Sequence, residues 1–490
     1  MRFKTIAAWL SCLWSIDFVI AQDNLKPAIA ALQSQLSPDA VVTIPWDSHW
    51  QDLQVRCTSP RISPDYTVVV EVATEADVQA TVTFASRYNI PFLAAAGNHG
   101  WTKTLNKLPY GIQINLRKLN STTLSSKGDT AAIAGGTIQY EITRSLFAKG
   151  KYAVAGPLLG GGHSLLQGQH GYALDNLVSA RVVLANGTLV RASRTENADL
   201  FWAIRGAGHN FGIVTSLEVK AYDIPSNWTV YSFVYPTEKV EELFRLVNKI
   251  ENSGTTRPAK LALTGIFVRI PAVDANNAVV AYTVAYEGSE DEAAKWAAQF
   301  AAVGPISTTT STNVNYVDLY TVTGNSIDGQ VCQRNKNGAG AGVSLPAWDL
   351  TGLRKAFTIF SKMTADPRFN SAITLLENYG MQGVRAVDST TTALALEERE
   401  YPILASPVLW WEGVDEQTTK DADAYMIAIR NALYTGLDST SKKRHAYVNY
   451  ANGDEPTQEL YGYDSRLEKL KELKKLWDPE NRFGFYNPLV

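Results

Sequence analysis

The residues with the most evident chemical potential lie in a glycine-dense stretch, residues 158–176, which reads LLGGGHSLLQGQHGYALDN. Its glycines are Gly160, Gly161, Gly162, Gly168 and Gly171. Glycine adopts positive φ angles freely and lets the main chain come close to a ligand. The stretch therefore predicts backbone wrapped around a planar or phosphorylated molecule, and a tight loop that holds no ligand is the alternative.

A second glycine turn follows a predicted strand and consists of Ala95, Ala96, Gly97, Asn98, His99, Gly100 and Trp101. Two glycines around a histidine make a tight turn with exposed backbone N–H groups, and such a nest suits a pyrophosphate. His99 is either a hydrogen-bonded structural residue or a functional one, and His163 in the first stretch has the same two interpretations. His163 and His170 are seven residues apart in a loop, so no histidine pair has the spacing of metal ligands. We therefore expect no zinc or iron site.

The segment after the glycine stretch argues against a nicotinamide-dinucleotide site. Residues Leu177 to Val190 are apolar and β-branched, with a turn at Asn186-Gly187, and Asn-Gly is a strong hairpin signal. A dinucleotide fingerprint instead needs a strand, a G-x-G-x-x-G turn and then a helix. We expect a hairpin here and no NAD binding.

Length and composition indicate a globular protein of at least two domains. The chain has 490 residues, of which 45% are apolar and 19% charged. Its formal net charge of −3 offers no basic field for nucleic acid or for an anionic membrane. Arg2 and Lys4 precede an apolar run, and a small-residue cleavage site ends at Ala21. This pattern predicts a signal peptide over residues 1–21 and hence a secreted protein.

Loss of such a signal would leave two cysteines, Cys57 and Cys332. An oxidising compartment permits a disulfide between them, and two free thiols are the alternative. Three glycosylation acceptor sequences, which begin at Asn120, Asn186 and Asn227, fit the secretory interpretation.

Hydrophobic periodicity divides the chain near residue 225. Before it, we predict a strand, a capped helix and a second strand at Thr67–Val72, Val78–Tyr88 and Pro91–Ala95. Beyond it, long strands alternate with helices, which is typical of a separate α+β domain on a sizeable sheet. In the tail, Tyr447–Tyr450 (YVNY) alternates like a strand, and leucines between Leu467 and Leu476 predict a helix.

Four separated stretches share a family pattern: the turn around His99, the glycine stretch, residues 199–215 (DLFWAIRGAGHNFGIVT), and the tail with YVNY, YGYDSRL and WDPENRF. In them the chain resembles secreted fungal flavoproteins of the berberine-bridge-enzyme-like group, with the vanillyl-alcohol-oxidase or PCMH-type FAD fold. The resemblance implies an α+β protein with a PCMH-type FAD-binding domain and a second α+β substrate domain built on a large antiparallel sheet. It implies a signal peptide over 1–21, an FAD-binding domain over 22–224, a substrate-binding domain over 225–440, and a C-terminal segment over 441–490 that returns to the FAD domain.

The resemblance also assigns residues to a bound FAD. The turn 95–100 would hold the pyrophosphate, although it reads Ala96-Gly97-Asn98 where the family usually has a run of glycines. His99 would carry the flavin covalently, and by one bond only, because residues 154–157 lack the cysteine of members with two attachments. Leu158 falls at the position that gates oxygen. The other cofactor contacts would be Trp101, Pro157, Leu158, Gly160, Gly161, Gly162, His163, Gln167, Gly168, Asp175, Asn176, Gly212, Ile213, Val214 and Asn449.

The implied activity is FAD-dependent oxidation of an alcohol, a sugar or a secondary-metabolite intermediate, with hydride transfer to flavin N5 and electrons passed to O₂ or another acceptor. We place the catalytic base at Tyr447 first and Tyr450 second, with Asn449 orienting the reactants and Glu412 as a lesser candidate. A phenol has a pKa of ~10, so a cation or strong hydrogen bonds must lower it. A flavin-containing cyclase or isomerase without net redox change and a secreted, non-enzymatic binding protein are the alternatives, and the oligomeric state stays open.

Overall fold

The computed structural model describes residues 29–57, 61–252, 257–334, 336–413, 415–438 and 440–490. The predicted signal peptide therefore lies outside the described residues. None of the helices in these ranges is long and apolar enough to cross a membrane.

The first sheet contains the predicted strand–helix–strand unit. It has the order β1-β2-β4-β3, in which β1 is antiparallel to β2, and β2 and β3 are both parallel to β4. Helix α2 begins at a capping box in which Asp77 N–H donates to Thr74 Oγ1 and Thr74 N–H donates to Asp77 Oδ2. The strands are β1 (Val41–Thr43), β2 (Tyr66–Glu71), β3 (Phe92–Ala95) and β4 (Gly111–Asn115), and the helices are α1 (Trp50–Gln54) and α2 (Glu75–Arg87).

The second sheet has five strands in the order β5-β6-β10-β8-β9, and a pair of short strands, β7 and β11, stands beside it. The predicted hairpin is confirmed, because β8 and β9 are antiparallel neighbours on either side of Asn186-Gly187. The strands are β5 (Thr122–Leu124), β6 (Thr130–Ala134), β7 (Lys151–Tyr152), β8 (Leu177–Val183), β9 (Leu189–Ser193), β10 (Ile213–Lys220) and β11 (Tyr222–Asp223). The helices are α3 (Gln139–Phe147), α4 (Gln167–His170) and α5 (Ala198–Ala207).

The chain from residue 228 onward builds an eight-stranded antiparallel sheet with the order β15-β12-β14-β13-β18-β19-β16, and β17 also pairs with β19. The large antiparallel sheet expected from the sequence is thus confirmed. Its strands are β12 (Trp228–Tyr235), β13 (Leu261–Val268), β14 (Val279–Glu287), β15 (Ser307–Val314), β16 (Asn337–Gly340), β17 (Val343–Leu345), β18 (Ile373–Asn378) and β19 (Ile403–Trp411). Its helices are α6 (Val240–Glu251), α7 (Glu290–Ala301), α8 (Leu319–Val322), α9 (Leu350–Met363), α10 (Gln382–Arg385), α11 (Leu396–Glu400) and α12 (Glu416–Asp438).

One face of the large sheet is covered by helices, and the other contributes to the site described below. Buried residues of α6, α7, α9 and α12 form one apolar cluster with strand residues such as Leu376 and Leu409. Strand β18 alternates strictly between fully buried and half-buried residues. Because successive side chains in a strand point to opposite faces, Glu377 lies on the face opposite to Leu376.

The tail ends in two helices, α13 (Thr457–Tyr461) and α14 (Ser465–Trp477), and the second confirms the helix predicted from the leucine spacing. The prediction of a strand at YVNY is wrong, because Val448–Tyr450 is a short 3₁₀ helix. The chain makes one antiparallel bridge, at His445 with Ser344, and then turns as Tyr450 N–H donates to Tyr447 O at 2.8 Å. The alternating pattern therefore belongs to a turn in which Tyr447 and Val448 are buried and Asn449 and Tyr450 are half-buried.

Short 3₁₀ helices supply many of the remaining connections. They lie at Lys103–Lys107, Leu158–Gly160, Ala173–Asn176, Gly208–Asn210, Thr237–Lys239, Gln330–Cys332, Pro367–Phe369 and Ser389–Thr391.

Candidate functional site

The glycine loop and the tail motif pack directly against each other. A side-chain Cβ at Gly160 would lie 2.5 Å from Asn449 Oδ1, and one at Gly161 would lie 2.9 Å from the Tyr447 ring. Gly161 also has a φ of +137°, which a residue with a side chain avoids. At these two glycines the group that comes close to the main chain belongs to the protein's own tail, and the predicted approach of a ligand to the loop stays a prediction.

Tyr447 is held as a hydrogen-bond acceptor at the centre of this contact. Its Oη accepts from Gly162 N–H at 2.9 Å and from Asn449 Nδ2 at 2.7 Å. The Asn449 amide is oriented by Pro157, whose carbonyl accepts from the same Nδ2 at 2.9 Å. Burial raises the pKa of Tyr447, and these N–H donors only partly oppose that effect. Tyr447 therefore stays a neutral phenol, and its proton is available for donation.

Tyr450 faces a carboxylate that the sequence analysis missed. Tyr450 Oη donates to Glu377 Oε2 at 3.2 Å, and Tyr379 Oη donates to Glu377 Oε1 at 2.5 Å. Burial raises the pKa of Glu377, although both tyrosines and the nearby His163 counteract this effect. A carboxyl group placed in this way combines basicity with a hydrogen-bonded route for a proton, which are the properties of a general base.

The sequence around Glu377 contains a signal that could have identified it as a candidate site residue. Glu377 follows two leucines in β18, and Tyr379 comes directly after the last residue of the strand; a carboxylate beside such apolar residues in a strand is unusual. The strand contains no glycine or histidine, the residue types that mark the other candidate positions in the sequence.

The turn at residues 95–101 meets the tail through Trp101. Its Nε1 donates to Tyr450 O at 3.0 Å, and the two aromatic rings lie 5.7 Å apart. In the described parts of the chain, the N–H groups of Gly97, Asn98 and His99 donate to no protein acceptor. The Arg56 guanidinium lies against this turn, with NH1 donating to Asn98 Oδ1 and NH2 to Gly100 O. Outward N–H groups beside a guanidinium fit the pyrophosphate of a dinucleotide.

His99 stands in this turn as a neutral imidazole. Burial, followed by the positive charges of Arg334 and Arg56, lowers its pKa. Its Nε2 lies 3.9 Å from the sulfur of Cys332. Cys332 and Cys57 are both free thiols in the structure. A neutral imidazole is the nucleophilic form of the side chain.

Several other residues predicted to line a cofactor use their polar groups within the protein. Asp175 forms a buried ion pair with Arg399 at 2.7 Å. Asn176 Nδ2 donates to two carbonyls of the loop, those of His170 and Tyr172. Gln167 Oε1 accepts from Ser164 N–H at 3.2 Å.

The remaining residues predicted to contact the cofactor are described here by the position of their backbone. Gly168 packs against the carbonyl of Ala259, so the loop touches the middle of the chain. Ile213 and Val214 begin β10 directly after Gly212, and they pair with Val183 and Val182. Leu158 is buried at the start of a 3₁₀ helix.

Glu412 lies away from the tyrosines. It is exposed after the last residue of β19 and lines a surface hollow with Lys336, Arg368 and Trp411. The structure therefore separates it from the Tyr447–Tyr450 motif, as expected for a solvated carboxylate at a strand end.

Comparison with known proteins adds two family matches and several relatives. Residues 66–193 match the model described as "FAD binding domain", and residues 446–489 match the model described as "Berberine and berberine like". The chain is 33% identical to the FAD-linked oxidoreductase anuG of Penicillium roqueforti, over 91% of this chain and 88% of the relative. It is 36% identical to the FAD-linked oxidoreductase chyH of Penicillium rubens, over 94% of this chain and 93% of the relative.

Solved structures share the fold at lower identity. The xylooligosaccharide oxidase of Myceliophthora thermophila C1, in complex with xylobiose, superposes with a TM-score of 0.80 at 22% identity, covering 94% of this chain and 98% of that chain. A chitooligosaccharide oxidase superposes with a TM-score of 0.77 at 21% identity, covering 94% and 99%.

Proposed function

Because the chain belongs to the berberine-bridge-enzyme-like family of FAD-linked oxidoreductases, we propose that it oxidises an alcohol carbon of a sugar or of a secondary-metabolite intermediate. Bound FAD would supply the hydride acceptor at flavin N5 and pass the electrons to O₂ or another acceptor. The observation that carries this proposal is the hydrogen bond from Tyr450 to Glu377 beside the glycine loop.

The proton of the substrate hydroxyl would be taken by the Tyr450–Glu377 pair. As Tyr450 accepts that proton, it would pass its own proton to Glu377, so that the carboxylate becomes a neutral carboxyl group and the electron pair leaves the substrate carbon with the hydride. This route avoids a free tyrosinate, which burial disfavours at Tyr450. The geometry therefore favours Tyr450 over Tyr447 as the proton acceptor, in contrast to the order expected from the sequence.

Tyr447 and Asn449 would orient the reactants. Two N–H donors already occupy the lone pairs of Tyr447 Oη, and its hydroxyl hydrogen is left to donate to substrate or cofactor. The glycine loop sets the direction of this hydroxyl hydrogen, because the main chain of the loop supplies one of the two N–H donors to Tyr447 Oη.

The turn at residues 95–100 would hold the FAD pyrophosphate, and His99 would form a single covalent bond to the flavin. Support comes from the lowered pKa of its imidazole and from the N–H groups of the same turn, which find no acceptor among the residues that the structure describes. Asp175 and Asn176 would shape the loop through their protein contacts, while Gly212, Ile213 and Val214 would approach the cofactor through backbone.

We further propose that the protein is secreted, on the basis of the pattern in residues 1–21. The proposed FAD-binding, substrate-binding and C-terminal segments keep the boundaries 22–224, 225–440 and 441–490.

The experiment that tests this function measures anaerobic bleaching of the flavin by a panel of alcohols and oligosaccharides at several pH values. In the native protein the bleaching rate should fall as pH decreases through the raised pKa of Glu377, above the ordinary value of ~4.3, because the reaction needs the ionised carboxylate. Glu377→Gln should lower the rate by about 10²–10⁴-fold, the range of general acid–base catalysis, and should abolish this acid limb.

Glu412→Gln is the matched carboxylate substitution outside the site, and we expect it to leave the rate and the pH profile unchanged. Normal bleaching in Glu377→Gln would contradict the proposed base. Product formation without bleaching and without consumption of an acceptor would instead support a cyclase or isomerase.

A further inference from the structure

The face of the large sheet that carries Glu377 continues beyond this carboxylate as an ordered set of side chains. In β18, the half-buried residues Ile373, Leu375 and Glu377 alternate with fully buried ones. These three share one face of the sheet, because successive side chains of a strand point to opposite sides. Pairing with the neighbouring strands extends each of the three positions into a row across the sheet.

The row of Glu377 continues with hydroxyl residues. On β13, β14 and β12, in that order, the aligned residues are Thr264, Thr283 and Ser232. All three are half-buried. Their hydroxyl groups can both donate and accept hydrogen bonds, so this row offers polar contacts along one line beside the carboxylate.

The next row of the same face is apolar. It begins with Leu375 and continues on the same three strands with Ile266, Ala281 and Val234. All four are half-buried, and none belongs to an apolar cluster formed by the described residues. Neighbouring strands lie about 4.8 Å apart, so four strands make a row about 14 Å long. This length accommodates a fused-ring body.

The third row is apolar too. It contains Ile373 and, on β13, Val268, and both are half-buried. Arg269 follows Val268 but lies on the opposite, helix-covered face, where its guanidinium donates to acceptors at the end of α9. Among the described residues named in these three rows, Glu377 alone is charged.

The other side of the Glu377 row is covered by protein. The row on that side contains Ala262, Ala285 and Val230. All three are buried in the apolar cluster that also contains residues of β8 and α5. The sheet is thus covered up to the row of Glu377, whereas the row of Leu375 lies outside the apolar core. A substrate whose hydroxyl group reaches Glu377 therefore extends toward Leu375.

We propose that Leu375 and Ile266 are specificity-determining residues that bind the flat apolar body of an alcohol whose hydroxyl group lies at Glu377. This assignment names the substrate class of the proposed function and rests on it, because Glu377 marks the reacting end. A sugar carries hydroxyl groups on most of its carbons, and burying them against apolar side chains without hydrogen-bond partners is costly. The hydroxyl row serves polar groups along one edge of the substrate only. The substrate class is therefore an aryl or polycyclic alcohol and not an oligosaccharide.

The first test measures binding without turnover, by isothermal titration of the purified flavoprotein with 2-naphthol. This probe has a flat apolar body, and its hydroxyl-bearing carbon has no hydrogen to transfer, so it binds without being oxidised. Leu375→Asn, which makes the side chain polar at similar size, should raise the Kd about 10-fold, the lower end of the effect of a lost apolar contact. Leu476→Asn is the matched control at an exposed position of α14 and should leave the Kd unchanged.

Ile266→Thr provides a second variant in case Leu375→Asn does not fold. Threonine is β-branched and suits a strand, and the substitution replaces the apolar side chain next to Leu375 in the same row. It should also raise the Kd of 2-naphthol. Thermal unfolding of each variant establishes that it is folded.

The second test compares anaerobic flavin bleaching by 2-naphthylmethanol with bleaching by xylobiose and cellobiose. The carbinol carbon of 2-naphthylmethanol has hydrogens, so hydride transfer is open to it, and it should bleach the flavin faster than either disaccharide. In Leu375→Asn, the concentration that gives half of the maximal bleaching rate should rise about 10-fold. The maximal rate should stay, because this contact lies away from the reacting carbon and stabilises ground and transition state equally.

The outcomes separate the substrate class from the proposed function. Faster bleaching by either disaccharide than by 2-naphthylmethanol would overturn the substrate class and leave the oxidation itself intact. No binding of 2-naphthol, or the same Kd in the native protein, Leu375→Asn and Ile266→Thr, would overturn the role of these two residues. Absence of bleaching by every alcohol, together with 2-naphthol binding that depends on Leu375, would count against the proposed function alone.

Discussion

At the scale of single residues, the site separates two tyrosines that the sequence presents as nearly equivalent. Tyr447 and Tyr450 are three positions apart, yet Tyr447 Oη accepts N–H groups and Tyr450 Oη donates to a carboxylate. Burial raises the pKa of both phenols. Their difference therefore comes from their hydrogen-bond partners, and it is Tyr450 whose hydroxyl faces a carboxylate that can receive its proton.

His99 is the residue whose substitution has the simplest readout. His99→Ala should remove the covalent bond to the flavin, so that acid precipitation releases all of the yellow colour to the supernatant, whereas the native protein keeps it in the pellet. The reason is that the His99 imidazole, whose lowered pKa favours its neutral form, is the nucleophile that we propose for the turn at residues 95–101.

Cys332→Ser provides the matched control, because this thiol lies 3.9 Å from His99 Nε2 and is an alternative nucleophile beside it. Cys332→Ser should keep the colour in the pellet. Colour that stays with the His99→Ala protein would show that another side chain is the anchor.

At the scale of elements, the glycine loop is shaped by the tail that lies against it. Gly160 and Gly161 lack the Cβ atoms that would collide with Asn449 and Tyr447, and Gly162 places its N–H on Tyr447 Oη. The loop and the 3₁₀ turn of the tail therefore form one interlocked unit, which explains why the tail motif is not a strand.

Gly161→Ala tests this interlock. It should lower Tm and reduce flavin retention, because the new Cβ meets the Tyr447 ring at 2.9 Å and the φ of +137° is strained for alanine. The backbone strain alone is worth about 1–2 kcal/mol. Thermal unfolding and the flavin-to-protein absorbance ratio after gel filtration measure the two effects.

Gly324→Ala serves as the comparison, since Gly324 also has a positive φ, +76°, and has no atom within 4 Å of an added Cβ. It should lower Tm only slightly and retain flavin fully. Equal effects of the two substitutions would mean that the contact with Tyr447 is unimportant.

At the scale of the whole molecule, the tail packs into an apolar core that it shares with residues much earlier in the chain. Val448, Leu460, Leu467 and Leu470 belong to the same apolar cluster as residues of β8 and α5. Arg61 extends this connection, because its guanidinium donates to Gly338 O, to Asp423 Oδ1 and to Asn452 Oδ1. One side chain thus ties the first sheet region to the large sheet, to α12 and to the tail.

A double-mutant cycle on Arg61 and Asp423 measures this connection. The ion pair has an N···O distance of 2.6 Å, and Arg61 is only 5% exposed. Arg61→Met and Asp423→Asn should each lower the free energy of unfolding, and the double variant should lose less than their sum by about 1–2 kcal/mol. Denaturant unfolding provides the measurement.

Lys103→Met removes the more exposed partner of the same carboxylate, at 3.2 Å, and should cost less than Arg61→Met. Strict additivity of Arg61→Met and Asp423→Asn would show that the pair does not couple these parts of the molecule.

The sequence by itself determined the local elements and the family. Thr74 and Asp77 specify a helix start, Asn186-Gly187 specifies a hairpin, and the glycine-flanked His99 with the YVNY tail identifies a flavoprotein, because each signal is contained in a few neighbouring residues. Only the tertiary structure decided which groups meet. Glu377 meets Tyr450, which is 73 positions away in the chain, and Tyr447 meets Gly162, which is 285 positions away. Burial and hydrogen bonding set their charges, and both depend on contacts that local sequence does not contain.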